Sequence, residues 1–460
     1  MKDTILVAGA GRSGIEATRF LLAIGKTVIL YDGDAAKDAG VVKGALLEDG
    51  SLSEADLDRL SLCFGDFPEE KLSETAYSVI SPGISLETPF VSVLEACQVP
   101  VISEIELAYR YEKGTVIGVT GTNGKTTTTS LIGAVMQAWR GEDRAFIAGN
   151  IGIPYTREVL KSKSDSVSVL ELSSFQLETV KTFHPHVSVI LNITPDHLNR
   201  HHTMETYAEV KERICMNQTK DDYCILNYDD LRLRAFAEEC PARVIFFSTR
   251  EVLSDGYFLQ DKALYRSIDG EPVYLLDTDE LNLVGRCNYE NVLAALAVSE
   301  AMCVPKETAF DAVRAFRAVP HRIEFIAEKG GVRYYNDSKG TNPDAAIQGI
   351  LAMDRPTVLI GGGYDKGSSY EEWVTLFPGR VKKLILIGAT REKIAECCER
   401  FGFQAYEFAD SFEEAFEKAK ESAESGDAVL LSPACASWGM FNNFEERGDL
   451  FRKLVLELEE

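Results

Sequence analysis

The sequence predicts an α/β protein of three domains, and three observations carry that prediction. At 460 residues the chain exceeds what one hydrophobic core ordinarily organises, and about 150 residues per domain gives roughly three. Short runs such as "TVILYD", "SVSVLELSS", "VSVILNIT" and "KLILIGA" are apolar enough to be buried on both faces, as strands of a helix-covered parallel sheet are. Stretches with apolar residues at helical spacing lie between such runs, so strand and helix alternate.

Taken in order, the first block opens with the strand "TILVAGAG", the helix "GRSGIEATRFLLAIG" and the strand "TVILYD", a βαβ unit. "AYSVISPGIS" is a strand running into a Ser-Pro-Gly turn. "VPVISEIELAYRYEKG" reads as a closing strand and an amphipathic linker, which places the first boundary near Glu104 and assigns 1–103 to the first domain. The second block, 104–318, starts with "TVIGVTGTNGK", continues through the two long apolar strands and closes with the helix "GRCNYENVLAALAVSEAM". A proline in "RAVPHRIEFI" resets the chain, so the third block spans 319–460, with strands "PTVLIGGG", "KLILIGA" and "AVLLSPA".

The totals bound the function. A net charge of -24 without a concentrated basic stretch excludes a nucleic-acid partner and requires local cations for any anionic substrate. No apolar run approaches the roughly 18 residues of a membrane span, and the opening "MKDTILVAGAG" has neither the basic end nor the cleavage site of a signal peptide, so a cytoplasmic location is expected. The ten cysteines include no C-x-x-C pair; buried reduced thiols are expected rather than a zinc ribbon or disulfide framework.

Chemistry concentrates in "VTGTNGKTTTTSLIGAV", residues 119–135. Gly121, Gly124, Lys125 and Thr126 would set backbone N–H groups and an ammonium around a polyphosphate, leaving the Thr126 hydroxyl for Mg²⁺. The strict phosphate-loop pattern wants a glycine where Val119 stands, so the loop is a variant. Glu171, at the end of "SVSVLELSS", is placed to support a metal; a structural salt bridge is the alternative for a buried strand-end glutamate. Five of the six histidines lie between His184 and His202. His197 follows a turn at the carboxyl edge of the sheet, where α/β folds bind ligands, whereas His201 and His202 read as solvated. Lys211, in a polar helix, reads as an exposed lysine. In the first block Gly9, Gly11 and Gly14 form G-x-G-x-x-G with Asp32 ending the next strand. That turn suits a dinucleotide, a diphosphate carrying a sugar or nucleoside, or mere tight packing. An oxidoreductase would use those glycines but leaves Lys125, Glu171 and His197 without a role.

The set "GTNGKTTTT", "GNIG", "ELSSFQLE", "NITPDHLNRH", "GRCNYENVLAAL", "HRIE", "NDSKGTNPDA" and "SPACASWGMFNNFEERG" resembles the Mur ligases, ATP-dependent enzymes that add amino acids to peptidoglycan precursors. The resemblance runs nearly end to end. It implies Rossmann-like first and third domains around a central ATPase domain, ATP and two Mg²⁺ ions as requirements, small-molecule substrates, and a monomer. "NDSKGTN" with "SPACAS" further implies that D-glutamate is added to UDP-N-acetylmuramoyl-L-alanine.

By the same resemblance the loop Gly121, Thr122, Asn123, Gly124, Lys125, Thr126 and Thr127 wraps the ATP phosphates. Thr126 and Glu171 hold one Mg²⁺; His197 and Lys211, the latter as its carbamate, serve the second. Asn288, Asn291, Arg322 and Asp337 face the rest of ATP. Arg12, Ser13, Asp32, Gly83, Asn150 and His197 meet the UDP-sugar substrate. Lys339, Thr341, Lys366, Ser437 and Phe444 hold D-glutamate. The match departs at Asn199, where an aspartate is expected, and at Gly340, which interrupts the usual S-K-A-T-N. Trp438 either shapes the amino-acid pocket or is a core residue.

Overall fold

A computed structural model describes residues 3–458. The chain forms two compact units. One runs to Tyr257 and takes in Ser267–Pro272 and Ala294–Phe310; the other comprises Phe258–Arg266, Val273–Leu293 and the chain from Asp311. Among the described residues no helix is long and apolar enough to cross a membrane.

The first unit holds two parallel sheets. In the first, β1 (Thr4–Ala8), β2 (Thr27–Asp32), β3 (Leu60–Phe64), β4 (Thr75–Ile80) and β5 (Val101–Ser103) are ordered β3-β2-β1-β4-β5. Every pairing is parallel, with Thr4 opposite Thr27 and Ser78 opposite Val101. The glycine turn after β1 is built for close approach. A Cβ on Gly14 would stand 1.7 Å from the Gly9 carbonyl oxygen, and Gly9 itself has φ of 96°.

The second sheet contains β6 (Thr115–Thr120), β7 (Ala145–Gly149), β8 (Val167–Glu171), β9 (Val187–Ile190), β10 (Tyr223–Asn227) and β11 (Arg243–Ser248), ordered β11-β10-β9-β6-β8-β7. These pairings are all parallel too, as the doubly buried apolar runs predict. β8 and β9 are buried at every position.

The stretch expected to be an amphipathic linker is a short helix, Glu104–Tyr109, buried from Glu104 through Ala108. It is buried all round because its carboxylates are answered by backbone N–H groups of the second sheet's segments. Glu104 Oε1 accepts from Thr156 N (2.5 Å) and Thr156 Oγ1 (2.7 Å). Glu106, with no exposed surface, accepts from the backbone N–H groups of Lys181, Thr182 and Phe183 and from the Thr182 hydroxyl at 2.7 Å. Arg12 and Arg200 add bonds to Gly152 O (3.0 Å) and to Pro82 O and Ile84 O (2.8 and 3.1 Å).

Glu104 carries a pH signature. Its Oε2 is buried with no partner, and burial, opposed by the Thr156 bonds, pushes its carboxyl up from 4.5 to about 7. The folded state therefore binds this proton more tightly than the unfolded chain. The stability it contributes is complete below about 4.5 and is lost as pH rises through about 7. Between pH 5 and 8 this group is expected to remove about 2.5 kcal/mol, and Glu104→Gln should remove that part of the dependence. Denaturant midpoints across the range measure it; parallel curves for the two proteins would assign the loss elsewhere.

The second unit contains most of β13 (Ala263–Ile268) and of β14 (Glu271–Asp277), which follow β12 (Gly256–Gln260). It also holds a sheet of β15 (Glu324–Lys329), β16 (Val332–Asn336), β17 (Thr357–Gly362), β18 (Val381–Ile387), β19 (Tyr406–Phe408) and β20 (Ala428–Leu431), ordered β15-β16-β20-β17-β18-β19. All its pairings are parallel except β15 with β16. The strands "PTVLIGGG", "KLILIGA" and "AVLLSPA" are β17, β18 and β20, buried on both faces between two apolar clusters.

Candidate active site

The loop after β6 leads into the helix Lys125–Arg140 through Gly121 (φ 147°) and Gly124 (φ 85°), both in backbone conformations that favour glycine. The loop is pinned from beneath by Asn192, which follows β9. Asn123 N donates to Asn192 Oδ1 (2.8 Å), Asn192 Nδ2 donates to Asn123 O (3.1 Å), and Thr122 N donates to Asn192 O (2.9 Å). Thr122 Oγ1 bonds Thr194 O (3.1 Å) and lies 3.2 Å from the Tyr207 hydroxyl. Thr126 is half-buried in the first turn of the helix and Thr127 is buried.

Two cations reach the same carbonyl. Lys125 Nζ donates to Gly121 O (2.8 Å) and Thr122 O (2.7 Å), and Lys211 Nζ donates to Gly121 O at 2.8 Å. Lys211 is 1 % exposed, so the expectation of a surface lysine is overturned. The helix Met204–Glu212, capped by Thr203, turns Tyr207, Ala208 and Lys211 inward, and the ammonium sits 4.7 Å from the Tyr207 ring centre. Burial, then the neighbouring charge of Lys125, holds the Lys211 amine well below the usual lysine range.

Glu171 ends β8, opposite Val119 of β6. Its Oε1 accepts from Asn150 Nδ2 at 2.7 Å, and its Oε2 is buried with no hydrogen-bond partner. The alternative of a structural salt bridge fails: among the described residues no cation pairs with this carboxylate, whose hydrogen bond comes from a neutral amide. An orphaned carboxylate oxygen on the strand next to the one that leads into a phosphate-type loop is a fit donor for a hard divalent cation.

His197 lies in the left-handed region (φ 52°), half exposed, 3.4 Å from Asp196 Oδ2 and with its ring 4.9 Å from that of Phe175. His201 corrects the expectation of a solvated residue. It is 3 % exposed, packs between Phe175 and Tyr207 and meets Ser174 Oγ at 3.0 Å. His202 is exposed as expected.

In the first sheet's turn, Arg12 is exposed, Ser13 half-buried and Gly83 exposed at the end of the neighbouring loop. Asp32 braces the turn itself: Oδ2 accepts from Ala10 N (2.8 Å) and Oδ1 from Asp34 N (3.0 Å). Asn150, exposed after β7, is the link to Glu171.

In the second unit Asn288 and Asn291 are buried one helical turn apart, joined by a 3.2 Å bond. Asp337, after β16, accepts from Ser432 Oγ (2.7 Å) and Ile323 N (3.2 Å), one residue beyond Arg322; burial pushes it up to about 7. A Cβ on Gly340 would stand 2.6 Å from Asp337 Oδ2, which accounts for the glycine in "NDSKGTN". Lys339 Nζ lies 3.6 Å from the ring centre of Phe444, which opens the helix Phe444–Leu456. Thr341 is half-buried and Ser437 buried. Lys366 is exposed, 5.5 Å from the Trp438 ring centre; Trp438 is 54 % exposed and is therefore no core residue.

Asn192 and Arg447 escaped the sequence reading. Arg447, buried, donates to Ser338 O (2.8 Å) and Ser338 Oγ (3.0 Å) and so ties the loop after β16 to the last helix. Its signal was its place in "NNFEERG", on the motif but off the residues singled out.

Three family models match this chain in order: "Mur ligase MurD-like, N-terminal domain" over 3–103, "Mur ligase middle domain" over 119–299 and "Mur ligase, glutamate ligase domain" over 321–435. The chain belongs to the Mur ligase family. Among Mur ligases it is similar to the UDP-N-acetylmuramoylalanine--D-glutamate ligases of Lachnospira eligens (50% identical, 99% of each chain) and Lachnoclostridium phytofermentans (46%, covering 99% of this chain and 98% of the relative). The corresponding enzyme of Clostridioides difficile is 41% identical, over 99% of this chain and 98% of its own. Solved Mur ligase folds agree. The UDP-N-acetylmuramate-alanine ligase of Thermotoga maritima superposes with a TM-score of 0.59 over 99% of both chains at 16% identity. A pseudomurein peptide ligase type C from Methanothermus fervidus gives the same score over 98% of this chain and 100% of its own, also at 16% identity.

Proposed function

We propose that this Mur ligase joins D-glutamate to UDP-N-acetylmuramoyl-L-alanine at the expense of ATP, in peptidoglycan precursor synthesis. The observation that carries the reading is full-length identity of 41% to 50% with enzymes bearing that name. The domains are divided as 1–103 for the UDP substrate, 104–318 for ATP and 319–460 for the amino acid, which the order of the three family matches supports. The substrates are small molecules of the cytoplasm, and we place the enzyme there as a monomer.

The L-alanyl carboxylate attacks the γ-phosphorus of ATP, forming an acyl phosphate and releasing ADP. The D-glutamate amine then attacks the activated carbonyl, loses a proton, and the tetrahedral intermediate expels phosphate to leave an amide. The loop Gly121 to Thr127 cradles the phosphates with its N–H groups, and Lys125 follows the charge that moves to the β–γ bridge. Mg²⁺, held by Thr126 and Glu171 and, at a second position, by His197 and Lys211, supplies further neutralisation of that charge when bound. The orphaned Oε2 of Glu171 supports the first assignment. For the second, Lys211 must become anionic. Its depressed basicity favours the free amine, which adds CO₂ to give a carbamate and a proton.

Arg12, Ser13, Asp32, Gly83, Asn150 and His197 address the UDP-sugar. Asn288, Asn291, Arg322 and Asp337 address ATP. Lys339, Thr341, Lys366, Ser437 and the backbone N–H of Phe444 address the carboxylates of D-glutamate.

The deciding assay follows ADP release with UDP-N-acetylmuramoyl-L-alanine, ATP and Mg²⁺, comparing D-glutamate, L-glutamate, L-alanine and no amino acid. Release is expected with D-glutamate alone, with product mass increased by one glutamyl residue. Equal release with another amino acid would move the chain to a sister specificity.

A further inference from the structure

Three cysteines from separate segments converge inside the second sheet's domain. Cys215 ends the short turn Arg213–Cys215 that follows the Lys211 helix, Cys224 lies on β10, and Cys240 lies between the helix Leu231–Phe236 and β11. Their sulfur atoms all lie within 4.8 Å of one another. Among the described residues no other trio of histidine, cysteine or carboxylate donors is brought together in this way. Cys215 and Cys224 are 1 % and 0 % exposed, whereas Cys240 is only half-buried.

We propose that Cys215, Cys224 and Cys240 form a binding site for one thiophilic metal ion of the Zn²⁺ or Cu⁺ class, separate from the ATP machinery. Three sulfurs around such an ion at about 2.3 Å stand about 4 Å apart, a spacing the cluster reaches by small side-chain adjustments. A donor set of sulfur alone, within an apolar core cluster, rejects hard ions such as Mg²⁺ and selects soft ones. The half-buried Cys240 provides the entry path. Each thiol that ligates releases a proton to solvent, so no oxidant or reductant is consumed.

The site would clasp β10 to the turn four residues beyond Lys211. Its occupancy thus bears on the helix that carries Lys211, but its existence does not depend on the ligase reading.

The test uses the full chain, reduced and freed of metal under anaerobic conditions, and titrates it with Co²⁺ as spectroscopic probe and with Cd²⁺. A sulfur-to-cobalt charge-transfer band saturating at one equivalent, displaced by Cd²⁺, is the expected result. Cys240→Ser, at the half-buried position where a hydroxyl is tolerated, should weaken binding by more than the roughly 10- to 100-fold lost when only a ligand's supporting group is removed. Cys224→Ala should do the same, and the exposed Cys97→Ser should leave the band intact. Thermal unfolding of each metal-free variant separates lost binding from lost folding. Absence of the band, or its survival in a folded Cys240→Ser protein, would overturn the site and leave the three thiols as core packing.

Discussion

Lys125→Ala is expected to lower kcat for D-glutamate-dependent ADP release by about 10³-fold, the scale at which a single preorganised donor to a transferring phosphoryl group acts. The ammonium already lies over the loop, 2.8 Å from Gly121 O and 2.7 Å from Thr122 O, so it needs no large movement to meet phosphate oxygens. The carbonyls it leaves behind are not stranded. Gly121 O keeps Lys211, and Thr122 lies in a half-buried loop that water can reach. Unfolding stability should therefore fall by less than about 1 kcal/mol. Steady-state kinetics with ATP varied, beside a denaturation curve, distinguish the two effects. A loss of less than tenfold in kcat would take the γ-phosphate away from this loop.

Glu106→Ala is expected to be the most destabilising single change outside the chemistry, by about 3 to 5 kcal/mol. The substitution removes a fully buried carboxylate that satisfies the N–H groups of Lys181, Thr182 and Phe183 and the Thr182 hydroxyl, and that also meets Arg110 at 3.3 Å. Glu106→Gln, which keeps one acceptor oxygen, should recover part of the loss. Urea unfolding of the full chain measures both; a shift below about 1 kcal/mol for the alanine variant would mean that these donors find other partners.

The parallel strands were legible because burial on both faces forces an unbroken apolar run; "TVILYD" corresponds residue for residue to β2. The strands between Gly256 and Asp277 were not. β14, for instance, is exposed at five of its seven positions and opens on Glu271 and Pro272, which do not read as a buried strand. At the site the phosphate loop announced itself by glycine spacing, whereas the burial of Lys211 did not. A polar helix such as "METYAEVKE" reads as solvated, and the Gly121 carbonyl that accepts from the buried Lys211 is ninety residues away in sequence. His201 went astray for a similar reason, since its aromatic neighbours Phe175 and Tyr207 come from other segments. Asp32 could be located from sequence, but not its bond to Ala10 N, which depends on the turn's exact path.

The helix Glu104–Tyr109 bears on how this chain can be recombined with its relatives. Its two buried carboxylates stand at the very start of the second block, and their partners, Thr156 and Lys181 to Phe183, lie far along the same block. A chimera cut at residue 103 keeps that helix with its partners and inherits a matched seam. One cut a few residues later, beyond Glu106, would graft a foreign pair of acids onto donors shaped for these. For module exchange, then, the working unit is residues 104–183 kept whole, and a crossover should fall before Glu104.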